Sequence, residues 1–254
     1  MSLVIWILMA VGAVLAILGW VKMNGGSPAG RPMAMAGAIL VVLCAVARPF
    51  LKGSGQQGIA DTETRFAEVA AQKLGKHLAQ EYPGAKALLI HQVQSEITTP
   101  RIEAEIAGLK KGFGTDIELL ATEAPSGVSG ASGMPAAMVN MQLMSDPSIV
   151  DGIVDSHPEC DLVVSAVPFP MDPSRLKLWR SKKTVAILGQ SQGIGGFVRS
   201  KKVAAIVINN PQKNADPEQK VPDDLDEAFD MRYLLITPEN FMNMMQQFSN
   251  QLPL

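Results

Sequence analysis

Residues Leu3 to Val21, LVIWILMAVGAVLAILGWV, contain no charged side chain. As a helix rising 1.5 Å per residue, the run would reach roughly 28 Å, close to the hydrocarbon thickness of a bilayer. Trp6 and Trp20 stand near its two ends, where indole rings favour the lipid interface. A cleaved leader needs a basic start and a shorter apolar stretch. Here only Met1 and Ser2 precede the run, and Lys22 follows it. The run therefore reads as a retained membrane helix.

A second uncharged run, Met33 to Ala47, is bracketed by Arg31 and Arg48. It is short for a span. Arginine stems can reach outward to the headgroups, and Pro49-Phe50-Leu51 adds apolar length. A core helix of a soluble domain is the competing reading. The turn KMNGGSPAGRP between the two runs favours a transmembrane hairpin over residues 1–50. Neither run carries a small-residue motif strong enough to name a partner helix. Lys22 and Arg31 on one side, against Arg48, Lys52 and Arg65 on the other, do not fix the orientation. The reading leans to a bacterial cytoplasmic membrane with the larger domain on its extracytoplasmic side.

Charge and cysteine narrow the partners. The first 50 residues hold three basic and no acidic side chains, leaving 19 basic against 24 acidic on the rest. No basic stripe interleaved with aromatics exists, which argues against nucleic-acid binding. Cys44 falls in the second run and Cys160 in the soluble part, so no disulfide framework is expected. His77, His91 and His157 have no metal-ligand spacing with Cys160 or with each other. The methionines 138, 141, 144, 242, 244 and 245 read as core filler or an adaptable interface.

After a polar, Gly-rich linker at 51–60, the soluble domain occupies 61–254. It opens on a helix in which Phe66, Val69, Ala70, Leu74 and Leu78 recur at helical spacing, stopped by Pro83-Gly84. Short apolar runs then alternate with helical ones. Strands are expected in AKALLIHQV, TDIELLATE, CDLVVSAVPF, KTVAILG, KVAAIVINN and MRYLLIT. Helices are expected in TPRIEAEIAGLKKGFG, PAAMVNMQLMSDPSIVDGIVDSH (interrupted near Pro147), DPSRLKLWRSK and PENFMNMMQQFSNQL, the last with Thr237 as its cap. Between the last two strands, DPEQKVPDDLDEAFD reads as a solvated loop. The strand runs are continuously apolar rather than alternating, as in strands buried on both faces. The expected fold is an open three-layer α/β domain with a mostly parallel sheet of about six strands.

The stretches RIEAEIAGLKKGFGTDIELLATE and DPSIVDGIVDSHPECDLVVSAVP give this arrangement a resemblance to one lobe of the type I periplasmic binding proteins, the sugar-binding and repressor-like family. That resemblance implies ligand-facing polar residues after the strands, at Gln92, Gln94, Ser165 and Gln190.

KKTVAILGQSQGIGGFVRSKKVAAIVINNP, from Lys182 to Pro211, meets two catalytic patterns at once. Gly189-Gln190-Ser191-Gln192-Gly193 fits the G-x-S-x-G elbow of α/β-hydrolases. All three histidines precede Ser191, however, and a serine without a base is a poor nucleophile. Gly189, Gly193 and Gly195 also resemble the phosphate loop of short-chain dehydrogenases. The loop falls at the fourth strand, its helix is short, and no acidic residue ends the next strand to hold a ribose. A third reading is geometric: the glycines supply positive φ where a strand turns into a helix in little space.

The resulting expectation is a membrane-anchored, non-enzymatic protein. Its α/β domain senses a small molecule or docks to a membrane or envelope complex. Its partners are the bilayer, a protein or second copy of the chain, and a small-molecule ligand; no cofactor or metal is called for. In open α/β sheets ligands lie beyond the carboxyl ends of the strands, which selects Gln92, Ser165, Gln190, Ser191, Gly193, Gly195 and Asn209 as binding candidates. A ligand-free structural subunit, and a Rossmann-like nucleotide or anion binder (or enzyme) using Gly189–Gly196, are the alternatives.

Overall fold

The computed structural model describes residues 2–25, 29–95, 98–125, 145–189, 192–213, 216, 219–248 and 251–252. Within the first two helices, side chains are described for 11–25, 29–39, 41 and from 58 onward. The chain divides into two compact units, Met1–Asp61 and Thr62–Leu254.

In the first unit, α1 (Ser2–Asn24) turns back into α2 (Gly30–Glu81). The hairpin is held by glycine. A Cβ placed on Gly19 would lie 2.6 Å from Ala34 Cα, and one on Gly37 would lie 2.6 Å from the Gly12 carbonyl oxygen. Only a hydrogen fits at such distances, so the two backbones approach without intervening side chains. Among the described side chains of this unit, Gly12, Gly19, Gly30 and Gly37 are the buried residues. Val11, Val14, Ile17, Leu18, Trp20, Val21, Met35 and Ile39 are exposed. Among the described residues no helix is long and apolar enough to cross a membrane. α2 is continuous through 51–60, where a linker was expected, and the division between units falls after Asp61.

The second unit is the expected α/β sandwich. Its strands are β1 (Lys86–Ile90), β2 (Glu118–Glu123), β3 (Leu162–Ser165), β4 (Thr184–Leu188), β5 (Val203–Asn209) and β6 (Tyr233–Ile236). Their order is β2-β1-β3-β4-β5-β6. Ala87 aligns with Leu162, and Leu162 with Thr184, in parallel register. Only β6 runs antiparallel, pairing Ile206 with Ile236. The helices are α3 (Thr99–Phe113), α4 (Pro147–Asp155), α5 (Gly195–Arg199), α6 (Leu225–Asp230) and α7 (Phe241–Phe248).

The two sheet faces explain the unbroken apolar strands. Leu88, Ile90, Val163, Val185 and Ile206 face one core with Val150, Ile153 and Val154 of α4. Ala87, Leu89, Leu162, Val164 and Ala186 face the other, with Ala70, Leu74 and Leu78 of α2 and Leu109 and Phe113 of α3. α2 and α3 also meet through glycine: a Cβ on Gly75 would lie 2.9 Å from the Leu109 carbonyl oxygen.

Three expectations need correction. DPSRLKLWRSK forms two short 3-10 turns, Pro173–Arg175 and Lys177–Arg180, not a helix. The buried Asp151 of α4 accepts hydrogen bonds from the backbone N–H of Lys177 and of Leu178, at 3.0 and 3.2 Å, and holds the second turn from outside. The end of the acidic stretch is α6, not loop: Asp224 accepts from Glu227 N–H as its cap, and Ala228 and Phe229 are buried. The closing helix begins at Phe241, because Asn240 folds back, accepting from Thr237 N–H and donating to the Leu235 carbonyl. The helix expected over 135–144, with its methionines, lies outside the described residues.

Candidate functional site

The chain crosses from one side of β1 to the other between β2 and β3, so strand order switches between β1 and β3. The carboxyl ends there bring forward Gln92 and Ser165. Gln92 is half-buried, and its backbone carbonyl lies 2.7 Å from His91 Nδ1. Ser165 is fully buried and donates to the Val167 carbonyl at 2.9 Å. Its hydroxyl hydrogen is therefore spent inside the fold. Gln94 is exposed.

The glycine turn after β4 is built from backbone geometry. Gly189 has φ 123° and Gly193 φ 75°, both in the region that favours glycine. A Cβ on Gly193 would meet the Pro173 ring at 3.4 Å. The loop after β3 thus lies against the turn at Gly193. Gly195 opens α5, which is only five residues long and has no side-chain cap. Gln190 and Ser191 lie outside the described residues.

Asn209 is the candidate that lines a cavity. It ends β5, beside Gly189 at the end of β4. With Arg101 and Glu105 of α3, Tyr233 of β6, and Ala67 and Ala70 of α2, these residues enclose about 140 Å³. α3 is aimed here by its start. Ser95 N–H donates to Thr98 Oγ1 at 2.8 Å, Thr98 N–H donates back to Ser95 Oγ at 3.2 Å, and a proline follows in the first turn.

Glu105 is the anomalous residue of this cavity. Its neighbours on the buried face of α3 are Ile102, Gly108, Leu109 and Phe113, and its side chain is 5% exposed while that of Arg101 is 58% exposed. Arg101 Nε donates to Glu105 Oε1 at 2.8 Å. Burial pushes the Glu105 carboxyl above the usual carboxylate range, and the Arg101 charge and hydrogen bond pull it back only in part. Burial likewise raises the Tyr233 phenol. Neither Arg101, Glu105 nor Tyr233 was among the sequence candidates. The signal was an acid set within the apolar stripe of a helix, at the third position after Ile102 and the fourth before Leu109.

A second, larger cavity of about 470 Å³ is lined by Glu123, Asp146, Ser148, Gly152 and His157, among others. His157 stands between two carboxylates, with Nε2 3.3 Å from Glu123 and Nδ1 3.4 Å from Glu159. Among the described residues no serine hydroxyl forms a hydrogen bond with it. Among the described residues no cluster of His, Cys, Asp or Glu could hold a metal ion.

No protein-family model and no curated protein sequence matches the chain. Solved structures similar to it include sugar-binding proteins of ABC transporters. A sugar ABC transport substrate-binding protein from Bordetella parapertussis is 14% identical with a TM-score of 0.40, over 57% of this chain and 42% of that one. A sugar-binding protein of a Bacillus halodurans ABC transporter is 13% identical with a TM-score of 0.43, over 69% and 63%. The arabinose-binding protein AraP of Geobacillus stearothermophilus is 10% identical with a TM-score of 0.42, over 68% and 62%. The similarity thus covers from 42% to 63% of those proteins' length.

Proposed function

We propose that this chain is a membrane-anchored receptor without catalytic machinery, whose α/β unit binds a small polar solute at the carboxyl ends of β4 and β5. The observation that carries the reading is the Glu105 cavity. Ionised groups are costly to bury unless their acceptor sites are filled; the buried Asp151 accepts two backbone N–H bonds, whereas Glu105 accepts one, from Arg101. Placed with a guanidinium, a phenol and a carboxamide beyond the strand ends, the same group has a use in recognition.

The anchor rests on the hairpin. Its interior is glycine and its outer surface is valine, isoleucine, leucine and tryptophan, the reverse of a helix pair folding in water. Small residues at the contact and large apolar ones outside suit hydrocarbon solvent. The uncharged sequence also continues N-terminally from Val11 back to Leu3. Both ends of a spanning hairpin lie on one side, so the α/β unit shares the side of Met1, taken here as the extracytoplasmic one.

The receptor reading is tested by thermal unfolding of the full chain in lipid nanodiscs against sugars, amino acids, nucleotides and inorganic anions. A solute held at a hundred times its Kd stabilises by about 2.7 kcal/mol, an upward shift of several degrees. One class is expected to shift the wild type and to lose its effect in Asn209→Ala. A flat response across all classes contradicts the reading.

A further inference from the structure

We propose that the cavity between α3, β4, β5 and β6 selects a small zwitterion, a molecule carrying an ammonium and a carboxylate a few bonds apart. This rests on the receptor reading and names its solute class. Glu105 receives a hydrogen bond from Arg101 Nε at Oε1; among the described residues it makes no other. A carboxylate has about four acceptor sites and a guanidinium five N–H donors. The single bond between them therefore leaves Oε2 open for a donor and the Arg101 Nη groups open for an acceptor, so a ligand need not break the pair to use both.

The two charges also differ in depth. The Glu105 side chain is buried, whereas the Arg101 side chain is more than half exposed along its length. A ligand ammonium directed inward meets Glu105, and its carboxylate directed outward meets the planar fork of Arg101. Tyr233 and Asn209 line the same space, offering a hydroxyl and a carboxamide to the remaining polar atoms. Charge balance selects further. Arg101 and Glu105 are together neutral, and a zwitterion keeps the site neutral while filling both open valences. An amine alone leaves the guanidinium unanswered, and a carboxylate alone leaves Glu105 so. The volume of about 140 Å³ limits the ligand to a small one.

The test is isothermal titration of the full chain in nanodiscs with L-alanine, with its half-molecules ethylamine and propionate, and with glucose. L-Alanine is expected to bind, and each half to bind at least about ten-fold more weakly, as loss of one charge-assisted hydrogen bond requires. Glu105→Gln and Arg101→Gln are each expected to weaken L-alanine by about ten-fold or more, with far-UV circular dichroism unchanged. Arg101→Lys, which keeps the charge, should retain part of the affinity. Half-molecules that bind as well as L-alanine, or a folded Glu105→Gln that binds it unchanged, overturn the proposal. Glucose binding without L-alanine binding overturns it and leaves the receptor reading standing. No binding by any of these four overturns the proposal, and the receptor reading falls with it only if the wider thermal-unfolding screen is flat as well.

Discussion

Replacing Gly108 by alanine tests how closely α2 and α3 pack, and therefore what aims Glu105. A methyl group there would stand 3.0 Å from Ala71 Cβ and from the Gln72 backbone nitrogen, and closer still to the Glu68 carbonyl oxygen. Carbon pairs are most stable at roughly 3.5–4.0 Å, so α3 must withdraw by about 0.5 Å or more. The obstruction is mostly backbone, which cannot rotate aside. Against this, alanine gains about 0.8–1.0 kcal/mol of helix propensity. Overpacking costs about 1–3 kcal/mol, and a backbone clash belongs at the upper end. The expected balance is a loss of about 2 kcal/mol, or roughly 4–8 °C in Tm for a unit of this size. Gly152 is the internal control. It lies within α4, is exposed, and an added Cβ there would meet nothing within 4 Å. Gly152→Ala should gain about 0.5–1 kcal/mol. Thermal melts of the two variants beside the wild type decide the matter. If Gly108→Ala stabilises as Gly152→Ala does, the glycine-mediated contact is wrong.

Other substitutions read other parts of the account. Glu105 has a folded-state pKa raised by burial, so its contribution is full below the ordinary carboxylate range and is lost as pH rises through the folded value. Glu105→Gln removes that loss. Its Tm advantage over wild type should grow from about pH 4 toward neutrality, and melts that run parallel across this range contradict the burial. Asp151→Ala leaves the N–H groups of Lys177 and Leu178 without their acceptor and should cost about 2–4 kcal/mol in a urea titration, whereas Asp151→Asn should keep a substantial part. Gly193→Ala meets φ 75° and the Pro173 ring, and a loss of about 1–2 kcal/mol is expected. Gly196→Ala, where a Cβ has open space, should be nearly neutral; equal effects at the two positions would remove the geometric account of this turn.

The strands were legible because burial on both faces leaves a plain mark: runs such as KALLI and TVAIL have no polar alternation. The direction of β6 was not, because an antiparallel edge strand and a parallel one carry the same apolar residues. α6 was hidden by its charge, since only Ala228 and Phe229 of its six residues are buried. The hairpin seam was missed for a different reason. Its small residues are divided between two helices, Gly12, Ala16 and Gly19 against Gly30, Ala34 and Gly37, and neither half is conspicuous alone. Of the binding candidates, Asn209 lines the cavity, Ser165 is satisfied internally, and Arg101, Glu105 and Tyr233 arrive from elements the strand-end rule does not inspect.

The most direct test of the membrane-anchored reading is alkaline carbonate extraction of the full chain from the membranes of cells that express it. The account predicts that the chain stays in the membrane pellet and is released by detergent alone. Recovery in the carbonate supernatant would contradict it, and the apolar face of the hairpin would then belong to a protein partner or to a second copy of the chain.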